Sequence, residues 1–211
     1  LCQVKVYEYV GGIWVSLGNT IYGNPSDYIG ISVAINGIGN RIATGTGRDT
    51  GFVRIYDLSN GIWVQAGADI VGEAAGNGSG KSISLSNSGN RIAIGAPTND
   101  GNGNGSGHVR VYDYNGTIWQ QAGTDIDGES AGNRFGTSVT LSDDGNLLAA
   151  GAIYNSGNGT GSGNTRVYRY NGTDWVQEGD DLDGDGPSQN VGRSVAFAGD
   201  GSRLAVGALG Y

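Results

Sequence analysis

The sequence predicts an all-β protein, a β-propeller of four four-stranded antiparallel blades, on three observations. Tryptophan recurs at Trp14, Trp63, Trp119 and Trp175, at intervals of 49, 56 and 56 residues. The same marks surround each one: Tyr7, Tyr56, Tyr112 and Tyr168 lie seven residues before, and Gly30, Gly80, Gly136 and Gly192 sixteen or seventeen after. Thirteen residues beyond each glycine stands an alanine: Ala43, Ala93, Ala149 or Ala205. A fixed period of this length signals a repeat architecture, and no segment of ten or more residues shows helical periodicity.

Within a unit the elements follow in order. The first strand, "GTSVTLS" from Gly136, leads into the second, "NLLAAGA", through Asp144-Gly145, with Ser88-Gly89 and Asp200-Gly201 in the sister copies. Such dipeptides supply the positive φ that a tight hairpin requires. The third strand is "HVRVYDY", with sisters "FVRIYDL" and "TRVYRY". Asn115-Gly116, Asn60-Gly61 or Asn171-Gly172 then turns it into a fourth strand around the tryptophan. In the second strand, large Ile92 and Ile94 alternate with small Ala93 and Gly95. Stacked blades can interlock large against small and bury both faces of each sheet, which suits a propeller better than a sandwich.

The units span about residues 30–67, 80–123 and 136–178 of a single repeat domain, 1–211. The first full interval is seven residues short, one lost before Gly30 and six between Ala43 and Tyr56, all in loops. The chain starts in a third and fourth strand (3–17) and ends in a first and second (192–208), which add up to a fourth blade assembled from both termini. A closed ring zipped there leaves no naked sheet edge. The same complementarity between molecules builds a head-to-tail filament, and an excerpt of a larger propeller is the third reading.

Composition narrows the function classes. With 42 glycines, 3 prolines and no Gly-X-Y period, the chain is turn-rich and not collagenous. A net charge of −8 and a pI near 4.4 argue against a nucleic-acid surface, which needs a concentrated basic face. No apolar run reaches the roughly 18 residues of a membrane span, so no membrane insertion is expected. Neither a starting methionine nor a signal peptide is present, so the chain reads as a processed or excised piece. Cys2 stands alone, so no internal disulfide forms.

"RFGTSV" at 134–139, "AAGAI" at 149–153 and "AIGAP" at 93–97 resemble the FG-GAP repeat of integrin α-subunit propellers. The Phe-Gly pair is kept at Phe135-Gly136 and replaced by Ile29-Gly30, Ser79-Gly80 and Val191-Gly192 elsewhere. The resemblance implies an extracellular or cell-surface adhesion or scaffold role with a protein or glycan partner. That family's calcium loop lies between the first two strands; here the connections "SNSGN" and "SDDGN" are too short, so calcium binding is not carried over.

Individual residues give weaker signals. "DLDGDG" places Asp181, Asp183 and Asp185 at alternating positions with a glycine sixth, like the first half of a calcium loop, although position twelve is Gly192 and not glutamate. The bland alternative is a solvated acidic turn. The loops "PTNDGNGNGSG" and "IYNSGNGTGSG" read as flexible linkers, or offer Asn99, Asp100 and Asn155 to a partner or sugar. Asn77, Asn104, Asn115, Asn158 and Asn171 head sequons for N-glycosylation. His108, the single histidine, reads as a surface residue without a nucleophile placed for it. No catalytic residues are assigned. The expectation is a non-catalytic extracellular interaction or structural module, with a filament subunit as the alternative and a carbohydrate-active enzyme third.

Overall fold

The computed structural model describes residues 2–210, which contain strands and turns and no helix. A first group comprises β1 (Gln3–Val4), β2 (Tyr7–Val10), β3 (Ile13–Ser16) and β4 (Ile21–Tyr22). The first full unit holds β5 (Ser32–Ile35), β6 (Arg41–Gly45), β7 (Phe52–Ser59), β8 (Ile62–Gln65) and β9 (Ile70–Val71). The second holds β10 (Ser82–Leu85), β11 (Arg91–Ala96), β12 (His108–Tyr114), β13 (Trp119–Gln121) and β14 (Ile126–Asp127). The third holds β15 (Phe135–Leu141), β16 (Leu147–Ala152), β17 (Asn164–Tyr170), β18 (Trp175–Gln177) and β19 (Leu182–Asp183). A last hairpin consists of β20 (Ser194–Phe197) and β21 (Leu204–Gly207).

Each full unit is one antiparallel sheet in the order β5-β6-β7-β8, with β9 also on β7. The sheets are five-stranded, against an expectation of four, because the fourth strand is broken in two. β8 pairs with the Tyr56–Ser59 stretch of β7, and β9 with Phe52 and Val53. At the break, Gly67, Gly123 and Gly179 adopt positive φ, a conformation that glycine takes without steric cost. The next unit's tryptophan presses on that turn: Trp119 Nε1 donates to the Ala66 carbonyl at 3.0 Å and Trp175 Nε1 to Ala122 at 2.9 Å. The periodic tryptophan is thus a bolt between successive sheets.

Three further ties repeat with it. Ser32, Ser82 and Ser138 donate Oγ–H to the carbonyls of Gly80, Gly136 and Gly192 in the following unit, at 2.7, 2.8 and 2.7 Å. Gly45, Gly95 and Gly151 lie against the same carbonyls, where an added Cβ would come within 2.2, 2.1 and 2.0 Å of the oxygen. Arg41 forks onto Asp57 at 2.5 and 2.7 Å, donates to the Gly89 carbonyl at 3.1 Å and stacks 4.5 Å over the Tyr114 ring. Arg91 repeats this with Asp113, Gly145 and Tyr170. Charge-assisted forks and cation–π contacts of this kind contribute about 2 kcal/mol together. In the third unit Leu147 replaces the arginine, so no such clamp reaches the last hairpin.

The core lies between sheets. β6, β11 and β16 are buried along almost their whole length, because each has a strand on both edges and a sheet on both faces. Ile92 and Ile94 pack with Ala43, Val53 and Ile55 of the first unit. Ala93, on the opposite face of β11, joins Leu148, Ala150 and Phe135 of the third. The large-against-small interlock expected from β11 is the packing observed.

The expected joining of the termini is absent among the described residues. β1–β4, β2–β3 and β20–β21 stay separate two-stranded sheets, and no ladder links the first group to the last hairpin. β20 instead packs on β15 and β16. Val4 and Ile21 pack on Ile42, Tyr56 and Trp63 of the first unit, so the two partial sheets sit at the two ends of the stacking order.

Gly95→Ala is expected to destabilise the fold by about 3 kcal/mol, because its methyl overlaps a backbone oxygen that cannot yield. Gly116→Ala, at a positive-φ turn with open space around it, is expected to cost about 1 kcal/mol. Urea unfolding of both variants, with unchanged slopes, measures the difference.

Candidate functional site

Asp181, Asp183 and Asp185 do not converge on a common point. Asp181 accepts from Asn164 Nδ2 at 2.7 Å and from Gln177 Nε2 at 2.8 Å, within its own sheet. The sister residues do the same work: Gln65 donates to Asp69 at 2.8 Å and Gln121 to Asp125 at 2.7 Å. Asp183 is exposed, and partial desolvation of its carboxyl, then the like charges of Asp181 and Glu129, hold its pKa above the usual range. Asp185 is exposed, and its amide donates to Gln189. Asp181 therefore pins the broken fourth strand, and the three carboxylates are not grouped at metal-ligand distances among the described residues.

The missed feature is an arginine one register earlier. Arg54, Arg110 and Arg166 precede Asp69, Asp125 and Asp181 by fifteen residues each, an interval visible in the sequence. Arg54 forks onto Asp69 at 2.7 and 2.5 Å. Arg110 holds Asp125 at 2.8 and 2.6 Å and also Glu73, from the preceding unit. Burial pushes the Asp125 carboxyl up, but the Arg110 and Gln121 hydrogen bonds outweigh it and leave the pKa below the usual range. In the third unit Arg166 departs from the pattern, donating to the Asp127 carbonyl and stacking 4.4 Å over Phe135.

His108 lies in the same network and is buried, 4% exposed, not a surface residue. Its Nδ1 is 3.8 Å from Asp125 and 3.9 Å from Glu73, without a hydrogen-bond partner. Glu73, His108 and Asp125 offer metal-type ligand atoms within 4.8 Å of one another, the one such trio among the described residues. The Arg110 guanidinium already occupies the place of the cation, so the cluster is a closed ion-pair network. Desolvation, then the charge of Arg110, lowers the His108 pKa against the pull of Asp125, Glu73 and Asp127.

The long loops are folded and internally bonded, not flexible linkers. Asn99 and Asn155 are buried: their Nδ2 groups donate to Glu73 and Glu129 at 2.9 and 2.8 Å, and their Oδ1 atoms accept from Gly101 and Gly157. Neither side chain is available to a partner. Asp100 is exposed and accepts from the Gly105 amide at 2.7 Å. Of the sequons, Asn77 is buried, which leaves no room for a glycan. Asn158 donates its Nδ2 to the Gly184 carbonyl at 3.1 Å. Asn104, Asn115 and Asn171 are exposed, and the last two also shape their hairpin turns through Oδ1.

The surface feature that sequence reasoning did not single out is an apolar groove of about 730 Å³ along the first unit. Val4, Val6, Tyr7 and Trp14 form one wall, and Val33 and Ile35 of β5 form the other. Trp14 is 69% exposed where Trp63 is 4%. Val33 and Ile35 are 61% and 54% exposed, whereas Val139 and Leu141 at the matching positions of β15 are buried. Packing covers these side chains in the interior of the stack, and here it is missing.

A histidine whose folded pKa is depressed binds its proton more readily when unfolded, so its stabilisation is complete above the unfolded value of about 6.5 and is lost as pH falls below it. Denaturant melts are expected to show stability falling from pH 7 to pH 5. His108→Asn, which places in β12 the residue type that Asn164 supplies in β17, is expected to flatten that decline; an equally steep curve contradicts the assignment.

No family model matches the chain, and no curated protein matches it. Solved structures do match, among them a chain of hydrazine synthase from Kuenenia stuttgartiensis, with a TM-score of 0.58 and 11% identity over 94% of the present chain. The alignment spans 45% of that chain, and at this identity it shows a shared β-rich fold alone.

Proposed function

We propose that the chain is a non-catalytic interaction or structural module of the β-propeller type, with three complete blades, a fourth present as two half-blades, and an apolar groove that receives a protein partner. The repeated sheet-to-sheet ties support the blade reading. Exposure of Trp14, Val33 and Ile35 on one groove carries the functional reading, because contiguous apolar surface rimmed by polar residues marks an interaction site. The groove also runs beside the unpaired edge of β1 and β2, a template for strand addition by a partner. Placement outside the cell follows from the FG-GAP resemblance. The loop asparagines first offered to a sugar are internal, which shifts the reading from a glycan partner to a protein one.

Fluorescence titration with anilinonaphthalene sulfonate tests the groove. The chain is expected to bind the dye at one dominant site, and Val33→Asp combined with Ile35→Asp to weaken that binding at least roughly fivefold without a change in fold. Dye binding unaltered by this pair of substitutions removes the groove as the interaction site.

A further inference from the structure

We propose that the groove takes the β20–β21 hairpin of a second copy of the chain, so that copies join head to tail and complete the partial sheet between them. The inference rests on the reading of the groove as a docking surface and names its occupant.

Register supplies the first argument. The second and third strands pair identically in all three full sheets: Ile42 with Tyr56, Ile92 with Tyr112 and Leu148 with Tyr168. Carried to the partial sheets by sister positions, this register sets Leu204 against Tyr7, Ala205 against Val6 and Gly207 against Val4. It also sets Arg203 against Glu8. The same pair of positions holds Arg41 with Asp57 and Arg91 with Asp113, both ion-paired, but Leu147 with Arg169 in the third sheet. Opposite charge there is therefore not imposed by the repeat, and the separated halves carry it. Glu8 and Arg203 are both exposed, and neither forms an ion pair among the described residues.

The faces match as well. Each first strand turns a small face forward to the next unit and a large face back. Ser84 Oγ, for example, accepts from the Leu141 amide of the following unit at 3.0 Å. On the last hairpin the small face, with Ser194, Ala196 and Ala205, is exposed. On β5 the large face, with Val33 and Ile35, is exposed. Bringing these two faces together reproduces the seam between consecutive full units and places Ser194 Oγ at the Gly30 carbonyl, as Ser32 Oγ meets Gly80. Both edges that would pair, the outer side of β21 and that of β1 and β2, lack a strand among the described residues.

Sedimentation of the 211-residue chain over roughly 1–500 μM is expected to show mass rising above 21.6 kDa with concentration. Glu8→Arg alone and Arg203→Glu alone are each expected to weaken association about tenfold, since attraction at one cross-strand pair becomes repulsion. An equimolar mixture of the two variants is expected to recover it, because every head then meets a tail of opposite charge. Circular dichroism melts confirm that both exposed substitutions leave the fold intact. A monomer at every concentration, association indifferent to both charges, or single variants whose mixture recovers nothing overturns the proposal; the first outcome is that of closure within one molecule. Dye binding in a chain that stays monomeric leaves the groove as an interaction site and removes only the second copy as its occupant.

Discussion

The structure depends on how closely one sheet can approach the next. At Gly45, Gly95 and Gly151 two backbones meet with no side chain between them, and the carbonyls of Gly80, Gly136 and Gly192 fill the space a Cβ would need. That spacing is what lets Ser32, Ser82 and Ser138 reach across with a short side chain. It also brings the indoles of Trp119 and Trp175 onto the carbonyls of Ala66 and Ala122. A larger gap would strand all of these donors together, since interiors tolerate little empty volume. Two of the recurring marks, glycine and tryptophan, are therefore two consequences of one distance.

Much of the architecture is legible in the sequence because it is local and periodic. Asn-Gly and Asp-Gly turns fix hairpins by their own φ requirements, and the alternation of Ile92 and Ile94 with Ala93 and Gly95 forecasts which face meets which neighbour. The break in the fourth strand escapes such reading, because within the run from Trp63 to Val71 a single glycine, Gly67, is the local mark of the turn. Site residues were harder for a related reason. Asp181 looks like a cation ligand within six residues and like a sheet-pinning carboxylate only when set beside Gln177, Asn164 and its sisters Asp69 and Asp125.

His108 and the glycine-rich loops illustrate the limit from the other side. The histidine neighbours a loop whose composition suggests solvent, yet Glu73 and Asp125 arrive from segments 35 and 17 residues away and enclose it. Asn99 and Asn155 turn polar, glycine-rich stretches into ordered structure by bonding both the loop backbone and a glutamate of the preceding unit. Composition reports what a loop can bond to; the partner comes from the repeat stacked beneath it. The apolar groove is likewise invisible in a linear pattern, since Val33 and Ile35 are indistinguishable in type from residues that stacking covers elsewhere.

Leu147 gives the stack a direction of weakness. Where Arg41 and Arg91 rivet the first two junctions, the third keeps the Ser138 bond, the Asp143 amide on the Gly199 carbonyl and apolar contact, without a guanidinium clamp. Stability in such arrays sums over neighbouring interfaces, so under tension or heat the final hairpin peels away first and the three sheets behind it stay intact. The molecule thus carries a built-in release point at one end, and its position is set by a single change of side chain from guanidinium to isobutyl.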